Sequence, residues 1–180
     1  MLDRWTTELA PGADGWLGGT YGLTDDGVFV GVVRFDSRES AMANAARPEQ
    51  GEWWSQAEAC FDGPVEFHDC EDVTLLFDGG SDDAGFVQII RGKVDDPTRL
   101  KALLGRSTDM LHEARPEILG ATLAIEADGT FTETVAFTDE AAARSGESQQ
   151  MPDDMRAEWD AMMDDTQFLD LRHPWFSTAR

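Results

Sequence analysis

Cysteine is scarce in this sequence, with only Cys60 and Cys70 in 180 residues. Two thiols do not make a disulfide framework, and a chain of this length can bury a core without one. Both read as reduced cysteines of a cytoplasmic protein. Positive charge is also short: 14 Lys and Arg stand against 36 Asp and Glu, a formal net charge of −22. A surface of that sign repels phosphate backbones and anionic lipid headgroups, so nucleic acid and membrane are not expected partners. No stretch reaches the roughly eighteen apolar residues of a membrane span. The opening "MLDRWTTELAPG" has no basic region leading into an apolar run, so it does not read as a secretory signal. G-x-S-x-G is absent, and "DGGSDDAG" (78–85) lacks the lysine of a phosphate-cradling loop.

What is present is apolar material and a repeat. Hydrophobic residues make up 41% of the chain, with ten Phe and six Trp, enough for a real core. "WLGGTYGLTDDGVFVGVVRF" (16–35) returns as "ILGATLAIEADGTFTETVAF" (118–137) at an offset of 102 residues. Leu17, Gly18, Thr20, Asp26, Gly27, Phe29, Val33 and Phe35 recur as Leu119, Gly120, Thr122, Asp128, Gly129, Phe131, Val135 and Phe137. Upstream, Leu2, Arg4, Thr6 and Leu9 meet Leu104, Arg106, Thr108 and Leu111 at the same offset. A period near one hundred is too long for a solenoid and reads as a duplicated domain.

Each copy has a local reading. Asp26-Gly27 and Asp128-Gly129 are hairpin turns. Phe29, Val33 and Phe35, and their partners Phe131, Val135 and Phe137, fall on one face at period two. The opposite face carries Val28, Val30 and Val32 in the first copy but Thr130, Thr132 and Thr134 in the second. A helix precedes each hairpin, started at Pro97 in the second copy. A second helical region follows each, capped by Ser37 or Asp139 and broken at Pro48 or Pro152. "VEFHD" (65–69) and "TQFLD" (166–170) read as closing strands. With "GFVQIIRGKV" (85–94) as its first strand, the second copy has the βαββαβ order of a ferredoxin-like α+β sandwich.

That first strand has no counterpart in the first copy, because the offset places it before Met1. The expected organisation is therefore a first repeat over 1–77 lacking its first strand, a linker at 78–84, and a complete repeat over 85–180. The first half should show a sheet one strand short, or a strand borrowed there. The true start could lie upstream of Met1, the spare apolar run "VTLLF" (73–77) could fill the gap, or a second chain could, which would make the protein a homo-oligomer.

These segments resemble the antibiotic-biosynthesis monooxygenase-like domains of the dimeric α+β barrel superfamily. The likeness is carried by "GFVQIIRGKV", "PEILGATLAIEADGTFTETVAFTDEAAAR" and the closing strand, with "GWLGGTYGLTDDGVFVGVVRFDSRESAMAN" as the matching segment of the first half. The resemblance implies two sheets packed face to face as a barrel, here supplied by one chain. The group it points to includes cofactor-free oxygenases of phenols or quinols, haem-degrading enzymes, and many proteins of no known activity. The polyketide oxygenases of that group place an asparagine and a tryptophan on the third strand; here those positions are Gly31 and Phe35, and Glu133 and Phe137. Its haem-degrading members use an asparagine on the first strand, where this chain offers Gln88. No catalytic residue is carried over, and no cofactor is expected.

Several residues remain as candidates beside plainer readings. His68, Cys70 and Asp72 would share one face of a strand and could meet a soft metal. Structural zinc needs four ligands at recognisable spacing, so no metal is assigned, and the plainer reading is a strand end with a buried thiol. Trp53 and Trp54 diverge by about 100° on a helix, so one is core and the other is free to line a pocket. Trp54, His68, Gln88, Thr132, Thr134 and Trp159 are the candidate pocket residues. His112 reads as a helix C-terminal residue and His173 as part of an exposed turn. The expected function is binding of a small aromatic or apolar molecule in the barrel interior. The rivals are a cofactor-independent monooxygenase acting on a phenol or quinol, and a purely structural module for oligomerisation.

Overall fold

The computed structural model describes residues 1–148, 153–162 and 166–179, and side chains other than those of 109–113 and 153–155. Two compact units are present: Met1–Thr20 with Gly31–Asp69 and Phe176–Arg180, and Tyr21–Val30 with Cys70–Trp175.

Both repeated phrases fold as hairpins. Strands β1 (Trp16–Leu23) and β2 (Phe29–Phe35) flank the first turn, and β5 (Ile118–Ile125) and β6 (Thr130–Phe137) flank the second. Gly27 and Gly129 take φ of 88° and 87°, the left-handed conformation that favours glycine. The turns close on equivalent bonds, with Thr24 N donating to Val28 O at 2.9 Å and Glu126 N to Thr130 O at 2.8 Å.

Helices flank each hairpin. Helix α1 (Leu2–Arg4) continues through a π-helical turn, Trp5–Leu9, and a 3-10 turn, Ala10–Gly12. After the first hairpin come α2 (Arg38–Ala45) and α3 (Pro48–Glu58), with Pro48 opening the latter. Helix α4 (Pro97–Ala114) precedes the second hairpin, and α5 (Glu140–Glu147) and α6 (Asp153–Met162) follow it. Pro152 lies outside the described residues. The Ser37 side chain accepts from Ser40 N and the Asp139 side chain from Ala142 N, so both act as N-caps. Changing either to Ala is expected to cost about 1 kcal/mol, read as a lower urea midpoint with an unchanged slope.

The second unit holds a sheet in the order β3-β5-β6-β4-β7, where β3 is Asp72–Leu76, β4 Phe86–Lys93 and β7 Gln167–Leu171. All four pairings are antiparallel. Its β5-β6-β4-β7 portion is a complete ferredoxin-like sheet, with the repeat's first strand, β4, in the middle. The other sheet has the order β2-β1-β8, where β8 is Trp175–Thr178. The first repeat lacks its first strand.

Three strand expectations need correction. Residues 65–69 form no strand. In the second repeat the closing strand β7 pairs with β4; the first repeat has no such strand, so its closing segment has no ladder to join. His68 and Cys70 therefore sit outside any strand, and only Asp72 of that trio begins one. The apolar run at 73–77 does not fill the vacancy either. It forms β3, with Thr74 opposite Leu123 of β5. The strand that joins the first hairpin is β8, and it lies on the β1 side rather than the vacant β2 side. Each hairpin is thus widened by the strand that follows the other repeat.

Register fixes the two faces of the second sheet. Ile90, Glu133 and Leu123 stand in one row, and Ile89, Thr134 and Thr122 in the next. The first face is covered by helices: Phe86, Ile90, Leu123, Phe131 and Val135 join Leu100 and Leu104 of α4 in one buried cluster. In the first unit Trp5, Leu9, Trp16, Trp53 and Ala57 form a separate core, with Trp5 and Trp16 edge to face at 5.0 Å. No helix among the described residues is long and apolar enough to cross a membrane.

Candidate functional site

The period-two pattern of β6 puts Phe131, Val135 and Phe137 under the helices, and the same alternation forces Glu133 onto that face. Ile90 of β4 and Leu123 of β5 flank it directly. Glu133 is 5% exposed, and its Oε2 is buried with no hydrogen-bond partner. Burial alone pushes its carboxyl up to about 7, from an ordinary value of 4.5, because the charged form loses its water and gains no compensating donor. A carboxyl in this position is half protonated near neutrality, so it can either donate or accept a proton. Phe86, Phe131, Phe137 and the partly buried Trp159 belong to the same cluster, so the acid sits in an aromatic setting.

The expected pocket residues are divided between the two units, and within the second unit between the two faces of its sheet. Trp159, on α6, packs against the cluster that contains this face. Gln88 shares the face two rows away, opposite Val135, and is 5% exposed, with Nε2 donating to Asp170 Oδ1 at 3.0 Å. Arg144 links this corner, bonding both Asp170 and Glu147 and standing 5.3 Å from the Phe86 ring centroid. Thr132 and Thr134 point to the opposite face, in rows with Arg91 and Ile89. Trp54 and His68 belong to the first unit. There Trp53 is buried while Trp54 is half-buried, edge to face with Phe67 at 4.9 Å. His68 is exposed, 3.6 Å from Glu66. Among the described residues no three His, Cys, Asp or Glu side chains are grouped to hold a metal. The His112 side chain lies outside the described residues.

Glu133 stands where the resemblance places the oxygenases' third-strand asparagine, a position to which the sequence alone assigns no role. The signal was available: it is the one acid at a period-two position between Phe131 and Val135, on a face read as core. Its counterpart in the first hairpin is Gly31, so the repeat itself marks the position as divergent.

No protein-family model and no curated protein matches this sequence. Solved structures do match. A candidate monooxygenase from Lactobacillus acidophilus superposes with a TM-score of 0.71 at 12% identity, covering 98% of this chain and 85% of that one. A candidate monooxygenase from Fusobacterium nucleatum gives 0.70 at 12% identity, covering 98% and 84%. An anthrone oxidase-like protein gives 0.66 at 11% identity, covering 99% and 85%. At these identities the likeness is one of fold, and it extends over nearly the whole chain. The chain has the ferredoxin-like α+β fold seen in these monooxygenase-type structures, with two such repeats in one polypeptide, the first short of its opening strand.

Proposed function

We propose that the protein binds a small aromatic molecule bearing a hydroxyl group on the helix-covered face of the second sheet, with the hydroxyl bonded to Glu133. The carrying observation is the buried Oε2 without a partner. Buried polar atoms in folded proteins are nearly always satisfied, and an exception in an aromatic setting suits a ligand that brings the missing donor. Phe131, Phe137 and Trp159 would supply the apolar contact.

The test is a fluorescence titration of the full chain with phenols and their O-methyl ethers, read by quenching of the tryptophans. The phenol should bind at least tenfold more tightly than its ether, and Glu133→Leu should abolish the difference. Equal affinity of the pair for the wild type would remove this reading.

A second reading is favoured by the position of the Glu133 carboxyl near neutrality. It is the cofactor-independent monooxygenase, in keeping with the names of the structural neighbours. A phenol and one dioxygen give a quinone and one water: one oxygen atom enters the ring, the other leaves as water, and the ring supplies four electrons. Glu133 would take the phenolic proton, making the ring electron-rich enough to react. Oxygen uptake should then rise through pH 7 and fall by about 10²-fold or more in Glu133→Gln. Uptake that ignores this substitution would leave only the binding reading.

A further inference from the structure

Strand β3 ends the five-stranded sheet, and among the described residues no strand pairs with its outer edge. That edge borders a groove of about 510 Å³ between β3 and α4. Leu75, Phe77 and Asp78 line it on one side, and Lys101, Gly105 and Thr108 on the other. A Cβ built on Gly105 would meet nothing within 4 Å, so the groove is open over that turn of the helix. An end strand beside a helix-walled groove can accept an extended peptide as a further strand, with alternate side chains entering the groove.

The edge is also unguarded. Sheets commonly protect such strands with lysine, proline, a bulge or inward charge. "DVTLL" (72–76) has no lysine or proline, and Val73 and Leu75 are 54% and 64% exposed. The strand stops at a turn in which Phe77 and Asp78 take φ of 49° and 65°, a left-handed pair of non-glycine residues that only a fixed surrounding keeps in place.

Charge selects the occupant. Asp78 lines the groove, and Asp72 begins the strand that borders it. Lys101 is the one cation lining it among the described residues, and it is bonded to Asp72 at 2.7 Å. A second copy of this chain would bring the same acids and a further −22, so self-pairing is opposed. We infer that the outer edge of β3 and its groove bind an extended basic segment of a partner protein, alternating apolar and cationic residues, as a sixth strand. An edge of five residues fits a partner segment of about the same length.

The probe is a fluorescein-labelled octapeptide of alternating Lys and Val, titrated into the full chain by anisotropy. Controls are the same peptide with a central proline, and an alternating Glu-Val peptide. Saturable, salt-weakened binding is expected, with slowed amide exchange over 72–76. Binding should fall at least tenfold for the proline peptide, for Gly105→Trp, which fills the groove, and for Leu75→Lys, which guards the edge. Leu75→Lys changes an exposed side chain and carries the test if Gly105→Trp does not fold. Equal binding of the proline peptide, unchanged exchange over 72–76, or full binding by Leu75→Lys would overturn the inference. So would a dimer in light scattering that Leu75→Lys dissolves, since the occupant would then be a second copy.

Discussion

The stability advantage of Glu133→Gln over the wild type is expected to grow by about 2 kcal/mol between pH 5.5 and pH 8. Glu133 is an acid whose folded value, about 7, lies above its unfolded value of 4.5. Below 4.5 it is protonated in both states and neither state is favoured. As pH rises from there, the unfolded chain releases the proton first, so the folded state loses ground until about 7. Above that the loss levels off at roughly 3 kcal/mol. Glutamine cannot ionise, so its curve lacks this slope. The many surface acids shift with pH in both proteins alike and cancel in the difference. Urea unfolding of the two proteins at both pH values measures it, and parallel profiles would show that the carboxylate is relieved by water or a donor in the folded state. Glu133→Leu should exceed Gln in stability at pH 8, because it also removes the buried polar atom that lacks a partner.

This same residue marks the limit of what the sequence alone disclosed. Hairpins, caps and helix positions follow from short-range chemistry, and Asp26-Gly27, Ser37 and Asp139 act in the structure as their types require. The vacancy of the first strand was legible too, since it needs only the offset between copies. Its consequences were not. Whether residues 65–69 form a strand depends on a neighbour some other part of the chain must provide, and Val65–Asp69 resembles Thr166–Asp170 closely enough that pattern cannot tell them apart. The pairing of β3 with β5 and of β8 with β1 is likewise a long-range choice that alternation does not encode. For the site, polar residues such as Gln88, Thr132 and Thr134 drew attention because they could bind something. Glu133 differs from the asparagine that the resemblance expects at its position, so residue type alone gives it no role. Its meaning comes from burial without a partner, and that is a tertiary fact.

Gly120→Ala is expected to destabilise at the upper end of the ~1–3 kcal/mol range for overpacking, or beyond it. A Cβ at Gly120 would lie 1.6 Å from the carbonyl oxygen of Gly79. The obstacle is backbone and cannot rotate aside. It belongs to the turn after β3, which the left-handed Phe77 and Asp78 already constrain, and Gly120 sits at the register shift between β5 and β6. The repeat supplies an internal comparison. Gly18, its counterpart in β1, has φ of 143° and would place a Cβ 2.8 Å from the carbonyl oxygen of Ser177 in β8. In both hairpins, therefore, the repeated Leu-Gly keeps a glycine where the strand or turn following the other repeat comes closest. Gly18→Ala should also destabilise, but less, because its clash is shallower. Gly51→Ala in α3 meets nothing within 4 Å and should gain up to about 1 kcal/mol from helix propensity. Thermal unfolding of the three variants gives the order directly: Gly120→Ala lowest, Gly18→Ala between it and the wild type, and Gly51→Ala highest. Wild-type stability in Gly120→Ala would mean that the Gly79 turn can move away from β5. The edge of β3 would then not be held in the position that the groove requires.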